Sequence, residues 1–191
     1  RFLHDQTLRL ANEGLGPEEI AETLELPSTL RTTFANRDYY GTVRHNAKAV
    51  YQAYFGWYDG NPAHLDPLPP AEAATRTVEA MGGATEVLRK GREAAERGEY
   101  RWAATLLNQL VFAAPENADA REALARVYDQ LGYQAESGPW RDVYLTGALE
   151  LRRGVQGGGP DLASAAGLLR HLPPTGFFDS MATRLDSARA D

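Results

Sequence analysis

Helix punctuation recurs at short intervals along almost the whole chain, and no segment shows the residue alternation that a strand ladder requires. Gly16-Pro17-Glu18-Glu19 is the clearest start signal. Proline suits the first helical position, and early acids suit the positive end of the helix dipole. Before it, Leu3, Leu8, Leu10 and Ala11 recur at roughly helical spacing until Gly14. After it, Ile20, Leu24 and Leu26 form a short apolar face that Pro27 cuts, and another short helix is expected from there towards Ala35. A longer helix is expected over 42–55, with Val43, Ala47, Val50, Tyr51 and Tyr54 on one face at the 3.6-residue period. Asp59-Gly60-Asn61-Pro62 ends that pattern, and Pro67, Pro69 and Pro70 stiffen the arm that follows.

Beyond Ala71, helices are expected over 71–81, 84–97, 99–114, 118–131 and 137–153. Gly98-Glu99-Tyr100, Ala103-Ala104, Leu107, Leu110 and Pro115 resemble a tetratricopeptide-type hairpin, and Asn117 to Leu124 opens a second, with Tyr128 and Leu131 on its buried face. Gly157-Gly158-Gly159-Pro160 breaks the pattern before a final pair around 161–170 and 177–188, separated by Pro173-Pro174. The expected fold class is all-α, a helical cluster plus tetratricopeptide-like helical hairpins. Residues 1–70 form the first part, 71–156 the hairpins, and 157–191 a linker with terminal helices. One chemical role open to such hairpins is a stand-alone scaffold for binding a peptide.

At 191 residues the chain suits one compact domain, or one with a loosely attached end. A formal net charge of −6 without any concentrated basic face argues against a nucleic-acid partner. No apolar run approaches the roughly 20 residues that a bilayer span needs. With no cysteine, neither disulfides nor thiolate metal sites arise, and the compartment stays unknown. Arg1 to Thr7 has the character of a helix interior with no initiator Met or signal peptide, so the chain is expected to be a piece of something longer.

Catalytic motifs are not found. His4, His45, His64 and His171 are far apart, and none has a second histidine at i+2 or i+4. His64 has Asp66 two positions on, but in a proline-rich arm without a third ligand nearby. Gly157 to Gly159 lack the lysine of a phosphate loop. No metal site is therefore expected in this chain. The exceptional stretch is Tyr39 to Pro62, where seven aromatics, one histidine and two cations share 24 residues. Tyr51, Tyr54 and Phe55 fit a buried helix face. His45 falls away from that face, just inside the helix start. Two readings stay open for it: a solvated histidine, or a donor to an anionic group helped by Asn46, Arg44 and the helix N-terminus.

The run Tyr39-Tyr40-Gly41-Thr42-Val43-Arg44-His45-Asn46, continuing through Lys48-Ala49-Val50-Tyr51-Gln52 to Gly56-Trp57-Tyr58-Asp59-Gly60-Asn61-Pro62, closely resembles the alkylsulfatases of the metallo-β-lactamase superfamily. His4 to Asn12, Glu19 to Glu22 and Leu106 to Phe112 are similar to the same family, over roughly residues 1–155. The resemblance implies the helical dimerisation and substrate-cover domain of an enzyme that hydrolyses alkyl sulfate esters to alcohol and sulfate. It implies a homodimer, a separate catalytic domain holding two zinc ions, and no cofactor bound by this chain. A periplasmic or secreted parent enzyme is compatible with it. His45 then becomes a sulfate donor or proton supplier. Asn46, Arg44, Trp57 and Tyr58 become substrate-binding candidates. Arg44 departs from the family pattern, which has a small residue before the His-Asn pair.

Overall fold

The computed structural model describes residues 1–155, 167 and 170–182 of the chain, and the chain divides into two units, Arg1–Gly154 and Val155–Asp191. In the first unit α1 (Phe2–Asn12), α2 (Pro17–Thr23) and α3 (Ser28–Arg31) precede a 3-10 turn, Phe34–Asn36. Then come α4 (Val43–Phe55), a 3-10 turn at Pro62–His64, α5 (Pro70–Ala80), α6 (Ala84–Glu96), α7 (Tyr100–Ala113), α8 (Ala118–Gln134) and α9 (Gly138–Arg153). Every regular element among the described residues is helical.

The boundaries follow local chemistry. Gly14 takes φ 93° after α1, a left-handed conformation that costs glycine nothing. Pro17 opens α2, and Glu19 reaches back to accept from the Gly16 N–H at 2.8 Å. Thr42, Asn117 and Ser137 cap α4, α8 and α9 with side-chain oxygens that accept backbone N–H groups. α8 runs to Gln134, three residues past the expected 131, because Gly132 sits inside the helix: a Cβ there would lie 2.9 Å from Leu145, so the residue is a close-approach point to α9 and not a stop.

α1, α2 and α4 bury Leu10, Ile20, Leu24, Ala47 and Tyr51 in one core. α5 to α9 pack each on the next, with α5 also on α7 and α6 on α8. Their core joins Val78, Val87, Leu106 and Leu110 to Ala94, Ala103, Leu107 and Leu124. Gly91 lets α6 and α7 meet closely, since a Cβ there would lie 2.6 Å from the Leu107 side chain.

Two expectations change here. Tyr54 and Phe55, expected on the buried face of α4 with Tyr51, are 60% and 46% exposed, whereas Tyr51 is buried. α1 and α2 pack on the Ala47–Tyr51 side of the helix, and Tyr54 meets α1 through its hydroxyl. In the second unit a helix, α10, spans Pro174–Ala182, three residues earlier than expected, because Pro174 fits the first helical position. The helix expected over 161–170 and the end of the one over 177–188 lie outside the described residues.

Candidate functional site

α4 is registered by charge as well as by its core. Glu18 and Glu22, one turn apart on α2, pair with Lys48 and Arg44, one turn apart on α4. Glu22 also accepts from Arg101 of α7 at 2.7 Å, so one carboxylate serves two guanidiniums. Burial pulls the Arg44 guanidinium below its ordinary pKa, and the neighbouring Arg101 charge adds to that. The cation expected beside the substrate therefore has a structural partner on another helix.

The start of α4 is also occupied from within. Thr42 Oγ1 accepts from the His45 backbone N–H at 2.9 Å, and Asp38 Oδ1 accepts from the Val43 N–H at 3.1 Å. A helix N-terminus favours an anion, but here the Asp38 carboxylate is that anion. Two of the backbone N–H groups expected to assist His45, those of Val43 and His45 itself, are thus engaged within the chain.

The His45 ring meets α9. Trp140 Nε1–H donates to His45 Nδ1 at 3.3 Å, and the two rings lie edge to face with centroids 6.3 Å apart. His45 is exposed, and its Nε2 makes no hydrogen bond among the described residues. Asn46 lies against Gly41, where a Cβ would come within 2.9 Å of its Oδ1. The amide thus forms one wall of a cleft of about 640 Å³ with Tyr39, Tyr40, Arg37 and Asp38.

That cleft is framed by a joint between the two halves of the unit. Gly138 N–H donates to the Tyr39 carbonyl at 2.9 Å, and the buried Ser137 hydroxyl donates to the Tyr40 carbonyl at 2.5 Å. Arg37 pairs with Glu136 beside them and lies over the Tyr39 ring. Sequence reasoning missed Ser137 and Trp140. Ser137-Gly138-Pro139 is legible as a helix start, but nothing local shows which loop that start docks on.

Trp57 and Tyr58 lie at the other end of α4, with ring centroids 5.7 Å apart, Trp57 72% exposed and Tyr58 half-buried. Ten residues of helix separate His45 from Phe55, about 15 Å at 1.5 Å per residue. The structure therefore brings His45 and Asn46 together and leaves Trp57 and Tyr58 a helix length away. The loop after them is tied internally. Asp59 accepts from the Asn61 N–H at 3.0 Å and pairs with His64 at 2.6 Å, so the partner of His64 is Asp59 and not Asp66. The Asn61 N–H, then His64, hold the Asp59 carboxyl below its ordinary range.

A second histidine link was not legible either. His4 bonds Asp5 at 2.9 Å and the Tyr54 hydroxyl at 2.8 Å, which fastens α1 to the last turn of α4. The order carboxylate–imidazole–hydroxyl is that of a nucleophile and its base. With Tyr54 60% exposed on a helix surface, the arrangement acts as a clasp.

No group of three or more His, Cys, Asp or Glu able to hold a metal ion occurs among the described residues. No described helix is long and apolar enough to cross a membrane. Fold and site together define an all-helical domain that exposes large aromatics, Tyr40, Tyr54, Trp57 and Trp102 among them.

The model of the alkyl sulfatase dimerisation family matches residues 16–154. The chain belongs to that family. It is 50% identical, over its whole length, to the alkyl/aryl-sulfatase of Saccharomyces cerevisiae, covering 29% of that protein. It is 52% identical to a linear primary-alkylsulfatase of Pseudomonas sp., over 97% of this chain and 27% of the relative. The solved stereoselective inverting sec-alkylsulfatase from Pseudomonas sp. superposes with a TM-score of 0.90 at 50% identity, over 97% of this chain and 29% of that one. The chain thus spans under a third of the length of these relatives.

Proposed function

We propose that residues 1–156 are the dimerisation and substrate-cover domain of a longer enzyme that hydrolyses alkyl sulfate esters to an alcohol and sulfate. The observation that carries this reading is identity near 50% along nearly the whole chain to proteins named as alkylsulfatases, each more than three times as long. The domain has two tasks. It holds two copies together, and it brings the His45 edge of α4 over the reacting ester.

Hydrolysis in the superfamily that the sequence resembles rests on two zinc ions. The reading places their ligands in the rest of the longer enzyme, since no group among the described residues here is arranged to hold a metal. What this chain supplies is binding, orientation and a proton. With Nδ1 engaged by Trp140, His45 turns Nε2 outward as a donor to a sulfate oxygen, or as a proton source for the departing alcohol. The Asn46 amide adds a second donor one residue on. Arg44, answered by Glu22, holds α4 in register beside them. Trp57 and Tyr58 offer apolar surface to the alkyl chain at the far end of the helix.

The full-length protein should release sulfate from a linear primary alkyl sulfate such as dodecyl sulfate, followed by ion chromatography. No release from either primary or secondary alkyl sulfates would contradict the reading.

A further inference from the structure

We propose that Trp140 is a positioning residue: its indole N–H fixes the His45 imidazole so that the ring presents a protonated Nε2 outward. The proposal rests on the reading of His45 as a sulfate donor or proton supplier given above. An indole N–H only donates, so the nitrogen it meets at 3.3 Å, His45 Nδ1, is the one without a proton. The ring proton of the neutral imidazole then sits on Nε2, across the ring. The same bond selects between the two ring orientations that differ by half a turn about the Cβ–Cγ bond, which would otherwise exchange nitrogen for carbon at the outward edge.

Trp140 is itself held. It stands in the first turn of α9, where its backbone N–H is accepted by Ser137 Oγ at 3.4 Å. Ser137, 1% exposed, in turn donates to the Tyr40 carbonyl, and Gly138 donates to the Tyr39 carbonyl. Tyr39 and Tyr40 lead directly into Thr42, which caps the His45 backbone. The path closes on itself: loop 39–42, the start of α9, the Trp140 indole, the His45 ring, and back to Thr42. Both backbone attachment and ring rotation of His45 are thereby fixed from within this chain. The edge-to-face contact of the two rings adds packing with the same orientation.

The test uses the full-length protein labelled with indole-15N tryptophan. The indole signal that disappears in Trp140→Phe belongs to Trp140, and it should move in His45→Phe. A signal indifferent to His45→Phe overturns the proposal. In turnover, Trp140→Phe keeps an aromatic ring and removes the donor, and should lower kcat/KM about five-fold, the scale of one neutral hydrogen bond. In a His45→Ala background the same change should have no effect, because the group it positions is gone. An equal loss in both backgrounds marks a structural role and overturns the proposal. If His45→Ala by itself leaves turnover intact, the donor reading falls and the positioning role with it. If His45→Ala is damaging while Trp140→Phe is silent, the positioning role alone falls. Should Trp140→Phe not fold, benzothienylalanine at 140, which keeps the shape and loses only the N–H, gives the same comparison.

Discussion

His45→Ala in the full-length protein is expected to lower turnover of alkyl sulfate by about a hundredfold or more, the scale on which a positioned donor or acid contributes. The same substitution should cost about 1 kcal/mol of stability, because the ring is exposed and loses one hydrogen bond and one edge contact, both to Trp140. These two outcomes separate chemistry from packing, and both are needed on one preparation. The nearby cations are not expected to compensate. Lys48 and Arg44 are engaged by Glu18 and Glu22, so neither is placed to take over a donor role without first breaking an ion pair. A well-folded His45→Ala protein with near-normal turnover would remove the residue from the site.

The second large effect is expected in the hairpin core. Leu107 is fully buried, and its side chain fills the space that Gly91 leaves between α6 and α7. Leu107→Ala removes that filling where the backbone contact already rests on a glycine, which leaves little room for collapse. A loss of about 3 kcal/mol is expected, within the range for buried leucine truncations. Urea unfolding at fixed protein concentration measures it, because association would otherwise shift the midpoint. A loss below about 1 kcal/mol would show that α7 is not the centre of this core.

Much of the fold was legible because helices are local. The start of α2 follows from Pro17 and Glu19, the end of α1 from Gly14, and the period of Leu10, Ile20, Ala47 and Tyr51 carries the first core. The same reasoning failed at Tyr54 and Phe55, where period alone says which residues share a face and not which of them a neighbouring helix buries. It failed differently at the site. The stretch holding His45 stood out by composition, and Asn46 adjoins it in sequence. But Trp140 lies 95 positions away, Glu136 lies 99 from Arg37, and Tyr54 lies 50 from His4. Such polar pairs carry no periodic signal, because each depends on which loop a helix start meets in space. Asp38, five residues before Val43, likewise folds back on the start of α4 through a turn that composition does not specify.

The homodimer is the part of the account that the chain alone can decide. Permanent homodimer interfaces are large and apolar, and the first unit exposes aromatics well suited to being covered. Sedimentation equilibrium of the chain at micromolar concentration is the most direct measurement. The account expects twice the 20.9 kDa chain mass, held on dilution through the low micromolar range. A single species at the chain mass across that range would contradict it.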